Sequence, residues 1–472
     1  MQRRLTSLLV AGSALAAACS GSDLTVPNTT VPTTGSLAGD PRGAAQFLVS
    51  GILAADRNSY SGFILNTGSF GRESFNVFLT DGRTVTGFYQ NFADPAGFAA
   101  VNWTAFYQTL RNIGNVRALE TTGKFSTAEV AGLEGFLKTE EALQLYWLTV
   151  VHNNLGIVVK VDTNASVTNN FVSRDSALSQ AATRLDEGFT ALSGASFAPS
   201  FAAGYDAYGT PATYALFNRM IKARVQANRA SLALGAGPSY APSATSTTLY
   251  QSALAALGQV GAFVDGPAAA YSTAAGDVPN TNLYTQSAAA GYYAYPTIVT
   301  DSGISLTDRR ITAYTAAATT ASPSSANVTT STKLVRWPSQ TQKIPYITAV
   351  ELQLIRAEAR YFTGDAAGAL ADINAVRTTD GQIAARGAFT SAQDFVTELL
   401  LQRRLSLLSL GHRWNDVRRF GLLNTLPAGG ATFAKTANGV IPQAECVARQ
   451  NTPDTSDDCA PYAPTDPQNP TP

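Results

Sequence analysis

The stretch ELQLIRAEARYFTGDAAGALADINAVR, Glu351–Arg377, decides the fold. Thr348 and Glu351, three apart, form a capping signal that starts a helix over Ala349–Phe362. Gly364-Asp365 then breaks the period, and a second helix is expected over Ala366–Arg377. Ala357, Gly364, Ala369 and Leu370 are the small or apolar residues at the tight contact points of such a pair. The segment therefore reads as an antiparallel helical hairpin.

Working outward, the same pattern recurs. A first helix is expected over Gly43–Asn58, with Phe47, Leu48, Ile52 and Ala55 on one side. Val101–Glu120 places Trp103, Tyr107, Leu110 and Ile113 at helical spacing. Ser126 and Glu129 form a capping box for a helix through His152, with Leu133, Leu137 and Trp147 inward. Arg174–Leu192, a helix opened by Thr210-Pro211 and running to Leu234, and Leu249–Val264 follow. These pairs come at roughly tetratricopeptide length, without a clean internal repeat. The expected class is an all-α dominated, tetratricopeptide-like scaffold carrying a large irregular lobe.

Downstream, LQRRLSLLSLGHRWNDVRRFG, Leu401–Gly421, continues an apolar helix seam through Phe395, Leu399, Leu405 and Leu408. Thr390 and Gln393 give its start signal and Gly411 its stop. Arg413, Asp416 and Arg419 follow at spacings of three, so one carboxylate can bridge two guanidiniums. The cluster could suggest an anion site, but the bland reading, an ion-pair clasp joined by Glu358 that locks the last helices to the scaffold, fits better.

This stretch resembles the C-terminal signature of the SusD/RagB family of nutrient-binding outer-membrane lipoproteins. Gly411, Arg413, Trp414, Asp416, Arg418, Arg419 and Gly421 carry the likeness, while Ser406 and Leu410 stand where acids are usual. The hairpin adds Leu354, Ala357, Glu358, Ala359, Gly364, Asp365, Asn374, Val376 and Arg377. Pro442, Glu445 and Asn451 resemble the family's closing segment. The resemblance implies capture of an oligosaccharide or other nutrient at the outer membrane, and delivery to a partner TonB-dependent transporter faced by the helical repeats. It implies neither catalysis nor a cofactor.

The N-terminus fits that address. Arg3 and Arg4 precede an apolar run, Leu8–Ala18, too short to span a bilayer, and Leu15–Ala18 then offers small residues before Cys19. This reads as a signal peptide over 1–18 and resembles a bacterial lipobox that would lipidate Cys19. The membrane contact would be through acyl chains, on an outer-membrane, cell-surface-facing protein. Ser20–Asp40, rich in Ser, Thr, Gly and Pro, reads as a tether within 19–40. One domain is expected over 41–472, with helices at 95–264 and 346–421, a loop-rich lobe at 59–94 and 265–345, and an irregular segment at 422–472. Cys446 and Cys459 lie in a Pro- and Asp-rich tail; in an oxidising compartment they most simply pair, two free thiols being the alternative.

Composition narrows the function. Lys+Arg and Asp+Glu both count 33, so no net basic charge argues for nucleic acid. With only His152 and His412, and no HExxH or CxxC, no metal site is expected. No G-x-S-x-G is present, and Gly123-Lys124-Phe125 lacks the rest of a phosphate loop. Glu140 and Glu141 sit on a helix with nothing to single out a catalytic acid.

Binding is the better expectation. Aromatic faces stack on sugar rings while Asn, Asp, Arg and Gln bond hydroxyls, and such residues work on loops held by a rigid base. Two irregular regions offer them: Arg72, Asp81, Arg83, Tyr89 and Asn91 in one, and Tyr284, Tyr292 and Tyr293 in the other. The rival readings are a scaffold lipoprotein that binds only protein, and a degradative enzyme.

Overall fold

A computed structural model describes residues 39–76, 102–162, 169–275, 277–280, 292–301, 303–322, 328–427 and 435–448, together with Asn164 and Leu283. The deciding hairpin is present: α9 (Ala349–Phe362) is capped by the Thr348 side chain, which accepts from Glu351 N, and turns at Thr363–Asp365 into α10 (Ala366–Ala375). A π-type turn, Val376–Asp380, closes it.

The other long helices are α1 (Pro41–Phe70), α2 (Thr104–Glu120), α3 (Thr127–His152), α4 (Arg174–Leu192), α5 (Pro211–Leu232) and α6 (Ala244–Val260). Neighbours pack as pairs, α1 on α2, α3 on α4, α5 on α6 and α9 on α10, and the pairs stack through α4 on α5 and α6 on α9. Stacking buries each apolar face that a lone pair would leave wet. Local signals set the ends. The Ser126–Glu129 capping box is formed in full, and Thr210 caps α5 ahead of Pro211.

Two readings of the sequence change. The first helix does not stop at Asn58 but runs to Phe70 through a Gly- and Asn-bearing stretch read as loop. Tertiary burial overrides weak propensity there. Tyr60 and Phe63 pack on Trp147 at 5.6 and 6.0 Å between ring centroids, and the Thr67 and Ser69 hydroxyls donate to Phe63 O and Leu65 O. Second, the helix α11 (Ala392–Ser406) starts at Ser391, which accepts from Asp394 N, rather than at Thr390–Gln393. It ends at Leu407, and α12 (Arg413–Arg419) begins after Gly411.

The lobe read as loops contains a small sheet and two short helices, α7 (Thr297–Thr300) and α8 (Arg309–Tyr314). Strands β1 (Ser74–Asn76), β5 (Tyr292–Ala294), β6 (Thr315–Ala317) and β7 (Thr332–Leu334) form an antiparallel sheet in the order β1-β5-β7-β6, with Phe75 opposite Tyr293 and Thr315 opposite Leu334. Two further two-stranded pairs join β2 (Ile157–Val158) to β3 (Phe171–Val172) and β4 (Ala268–Ala269) to β8 (Ile344–Pro345). Strands this short carry too few alternating positions to show a period. A last helix, α13 (Gln443–Ala448), lies in the C-terminal segment. Trp103 and Trp147, expected in the core, are both buried there. No described helix is long and apolar enough to cross a membrane.

Candidate functional site

Where α9, α11 and α12 converge, four buried charges interlock. Arg419 donates to both Glu358 oxygens at 2.5 and 2.8 Å and to Asp416 Oδ1 at 2.9 Å. Arg403 takes the other Asp416 oxygen at 2.8 Å, and the Tyr250 hydroxyl donates to Glu358 at 3.0 Å. Burial opposes ionisation of Asp416, but Arg403 and Arg419 outweigh it and hold the carboxyl below its usual range. Burial likewise opposes the Arg419 charge, and Glu358 and Asp416 raise its pKa in spite of it.

The clasp expected at Arg413, Asp416 and Arg419 is thus built with a different partner. Arg403, from the preceding helix, occupies the place expected for Arg413. Arg413 heads the first turn of α12 and points away, donating from Nη1 to the Arg72 carbonyl at 2.9 Å. Spacing along one short helix could not reveal this, because the competing guanidinium comes from another element.

The expected ligand-binding residues separate into two groups. Asp81, Arg83, Tyr89, Asn91 and Tyr284 lie outside the described residues, as do Cys19 and Cys459. Arg72, Tyr292 and Tyr293 are described, and all three are buried, at 1, 3 and 6 % exposure. Arg72 sits at φ 56° and donates to Ser69 O at 3.2 Å and Pro427 O at 3.4 Å. The Tyr292 hydroxyl pairs with Ser409 Oγ at 2.6 Å. The Tyr293 hydroxyl donates to Thr320 O at 3.5 Å, and Lys333 lies over its ring at 5.7 Å. In this structure Tyr292 ties the lobe to the scaffold through Ser409, Tyr293 is engaged within the lobe, and Arg72 holds the end of α1 and Pro427; none of the three side chains is open to solvent. The β-strand pairing of Tyr292 and Tyr293, invisible in a three-residue strand, is the physical reason.

Beside the clasp, α11 and α12 wall a cavity of about 440 Å³. Leu400, Leu401, Val417 and Leu422 give it apolar walls, and Gln393, Thr397, Asp301, Arg404 and Arg413 give it polar groups. Its size lies within the range of small-molecule pockets, about 300–1,000 Å³, and the mixture of apolar walls with a few polar groups is what such pockets use. Arg404 bonds Asp301 Oδ2 at 2.8 Å and both Thr297 oxygens at 3.0 Å. Sequence reading missed Gln393 as a wall residue, and missed Thr397, Arg404 and Asp301 altogether. The LQRR run showed only its leucine period, and Asp301 joins from 103 positions away.

The two histidines are structural. His152 is buried with Nδ1 at 2.8 Å from Gly439 O, and burial pushes its pKa down to about 4. His412 is buried 3.5 Å from Glu351, and burial lowers its pKa to about 4 against that carboxylate's pull. Glu140 is buried under the Tyr214 hydroxyl at 2.5 Å and shares its environment with Asp56. Glu141 instead pairs with Arg117 and Arg184. No group of three or more His, Cys, Asp or Glu is placed to hold a metal among the described residues. Cys446 is buried and disulfide-bonded.

Stacked helical pairs, a small sheet fastened to them and a walled cavity define a helical-repeat fold. Residues 317–466 match the model of the SusD family. The fold extends the likeness along the chain. NanU of B. fragilis superposes with a TM-score of 0.65 at 12% identity, over 90% of this chain and 99% of that one. A SusD superfamily protein of Bacteroides vulgatus gives 0.64 at 14%, over 87% and 98%. A laminarin binding SusD-like protein gives 0.58 at 15%, over 87% and 98%. No curated protein matches the sequence. The resemblance read from Glu351–Arg377 and Gly411–Gly421 therefore holds, as does the helix-dominated fold class.

Proposed function

We propose that the protein is an outer-membrane lipoprotein that captures an oligosaccharide or other nutrient and hands it to a partner TonB-dependent transporter. The observation that carries this reading is the SusD fold, shared over 87% of the chain with a laminarin binding SusD-like protein. The walled cavity, with apolar walls and a few polar groups, supports a receptor role. The run before Cys19 supports a lipid anchor facing the cell surface, and the stacked helices supply a stiff docking face for the transporter.

A glycan array followed by calorimetry on the purified full chain tests the binding step, with laminarin among the probes. Saturable glycan binding without release of shorter products is expected. Hydrolysis of the polymer, or silence across the array, would defeat the reading. For the address, Cys19→Ala should move the protein from the membrane to the soluble fraction and end its co-purification with a transporter.

A further inference from the structure

We propose that the cavity between α11 and α12 takes the carboxylate of an acidic sugar, a uronic acid residue at the end of an oligosaccharide, with Arg413 as its anchor. This deepens the reading of the chain as a glycan receptor and rests on it.

Two guanidiniums, Arg404 and Arg413, and two carboxylates, Asp301 and Asp416, line the cavity, and of the four only Arg413 is outside an ion pair among the described residues. Arg404 is engaged with Asp301, and Asp416 is held from behind by Arg403 and Arg419. Arg413 makes one hydrogen bond, to the Arg72 carbonyl, and no ion pair with any described carboxylate. Its remaining N–H donors belong to a guanidinium that lines the cavity.

Two acids act on Arg413 electrostatically, Glu73 and then Asp301; Asp301 is already paired with Arg404, and Glu73 does not neutralise Arg413. Glu73 is buried, and both its oxygens lack a hydrogen-bond partner among the described residues. Burial, only partly opposed by Arg413, pushes its pKa to about 8, so it is largely protonated at neutral pH. Burial and the neighbouring Arg404 charge in turn depress Arg413 to about 9. A half-buried cation whose one ionised neighbour, Asp301, is already shared with Arg404 is under-compensated, and an incoming anion relieves that cost. A guanidinium favours a carboxylate because its fork matches two oxygens at once.

The remaining walls select the rest of the ligand. Leu400, Leu401 and Val417 suit the apolar face of a sugar ring, while Gln393 and Thr397 can bond its hydroxyls. A bare inorganic anion would leave those walls unused.

Calorimetry with the full chain decides the matter, using uronic-acid disaccharides, their carboxyl-reduced neutral counterparts and inorganic phosphate as probes. The acid form should bind at least about tenfold tighter than its reduced counterpart, a gap that one charge-assisted fork readily supplies. Arg413→Gln should erase that gap, and Arg413→Lys, which keeps the charge but not the fork, should restore part of it. Because Arg413 also holds the Arg72 carbonyl, Thr397→Trp serves as the second variant. It fills the cavity from an exposed position on α11 and should abolish acid binding with the circular dichroism unchanged. Equal affinity for acid and reduced forms, acid binding that survives Thr397→Trp, or phosphate binding as tightly as the disaccharide would each overturn the proposal. Binding of laminarin but of no acidic disaccharide would overturn it while leaving the receptor reading intact. Silence toward every glycan would remove both.

Discussion

Arg419 on α12 grips Glu358 on α9 with two hydrogen bonds, 61 positions apart in the chain and with neither side chain more than 3 % exposed. The pair joins the deciding hairpin to the terminal cluster, which explains why both stretches carry recognisable motifs. Two buried charges are tolerated only while each answers the other. Glu358→Ala leaves Arg419 with Asp416 alone and should cost about 3–5 kcal/mol in urea denaturation. The double variant Glu358→Leu/Arg419→Leu should cost less than Glu358→Ala, since it leaves no unanswered charge from this pair. A double variant as damaged as the sum of the singles would show that the coupling is absent.

Gly411 marks the second junction. It sits at φ 77°, and a Cβ there would press on the Thr67 hydroxyl of α1. Gly364, the hairpin turn, has φ 95° with open space around it. Both alanine variants incur the left-handed backbone penalty of roughly 1–2 kcal/mol, but only Gly411→Ala adds a collision. Thermal melts should therefore rank Gly411→Ala below Gly364→Ala. The reverse order would mean that α1 does not bear on the terminal cluster.

The contrast between these two glycines also marks how far the sequence could be read. Gly364 was legible because the turn is local: a capped helix, a break, another helix. The span 349–362 was legible in the same way, from Thr348 at its start, and the structure adds a Ser173 cap before 174–192. What depended on distant partners was not legible. The last three turns of α1 are helical because Trp147 and Phe106 lie against them, and nothing within residues 59–70 announces those rings. Arg403 displaced Arg413 from the clasp, and Tyr292 and Tyr293 turned out to be strand residues with engaged hydroxyls. Aromatics in an irregular, Gly- and Ser-rich setting look like receptor groups whether they face solvent or fasten a sheet. The cavity assembles Asp301 with α11 across the lobe boundary, so no single stretch could have displayed it.

The two imidazoles give a direct check on burial. Both His152 and His412 are lowered from 6.5 to about 4 in the folded chain. Their contribution to stability is complete above pH 6.5 and is lost as pH falls toward 4, because the unfolded chain takes up protons that the folded chain refuses. With only two histidines in the sequence, a proton NMR titration is unambiguous. Neither ring should move between pH 8 and about 5. A ring titrating near 6.5 would place that histidine in water.

Ser406 tests the departure from the family pattern. Its hydroxyl accepts from Arg310 at 2.7 Å and donates to Asp380 at 2.6 Å, so a small neutral group bridges a cation and an acid. Restoring an acid with Ser406→Glu sets a second carboxylate against Asp380 and should destabilise the chain by about 1–3 kcal/mol. Adding Asp380→Asn should recover most of that loss, whereas Asp380→Asn alone should not stabilise. If Ser406→Glu is neutral by urea denaturation, Arg310 has absorbed the new charge and the serine is no adaptation to Asp380.

Glu73 supplies the opposite pH dependence. Burial raises its pKa from 4.5 to about 8 in the folded protein. Below 4.5 both states hold the proton and the stabilisation is whole; from there to about 8 the unfolded chain releases a proton that the folded chain keeps, so stability falls as pH rises. Glu73→Gln removes the titrating proton while preserving shape. Urea midpoints at pH 5, 6.5 and 8 should show the wild type losing ground to Glu73→Gln step by step, although other buried acids titrate in both proteins. The difference between the two isolates this one residue. Parallel curves would mean that Glu73 is ionised beside Arg413 throughout, and that the guanidinium has its counter-charge within the chain.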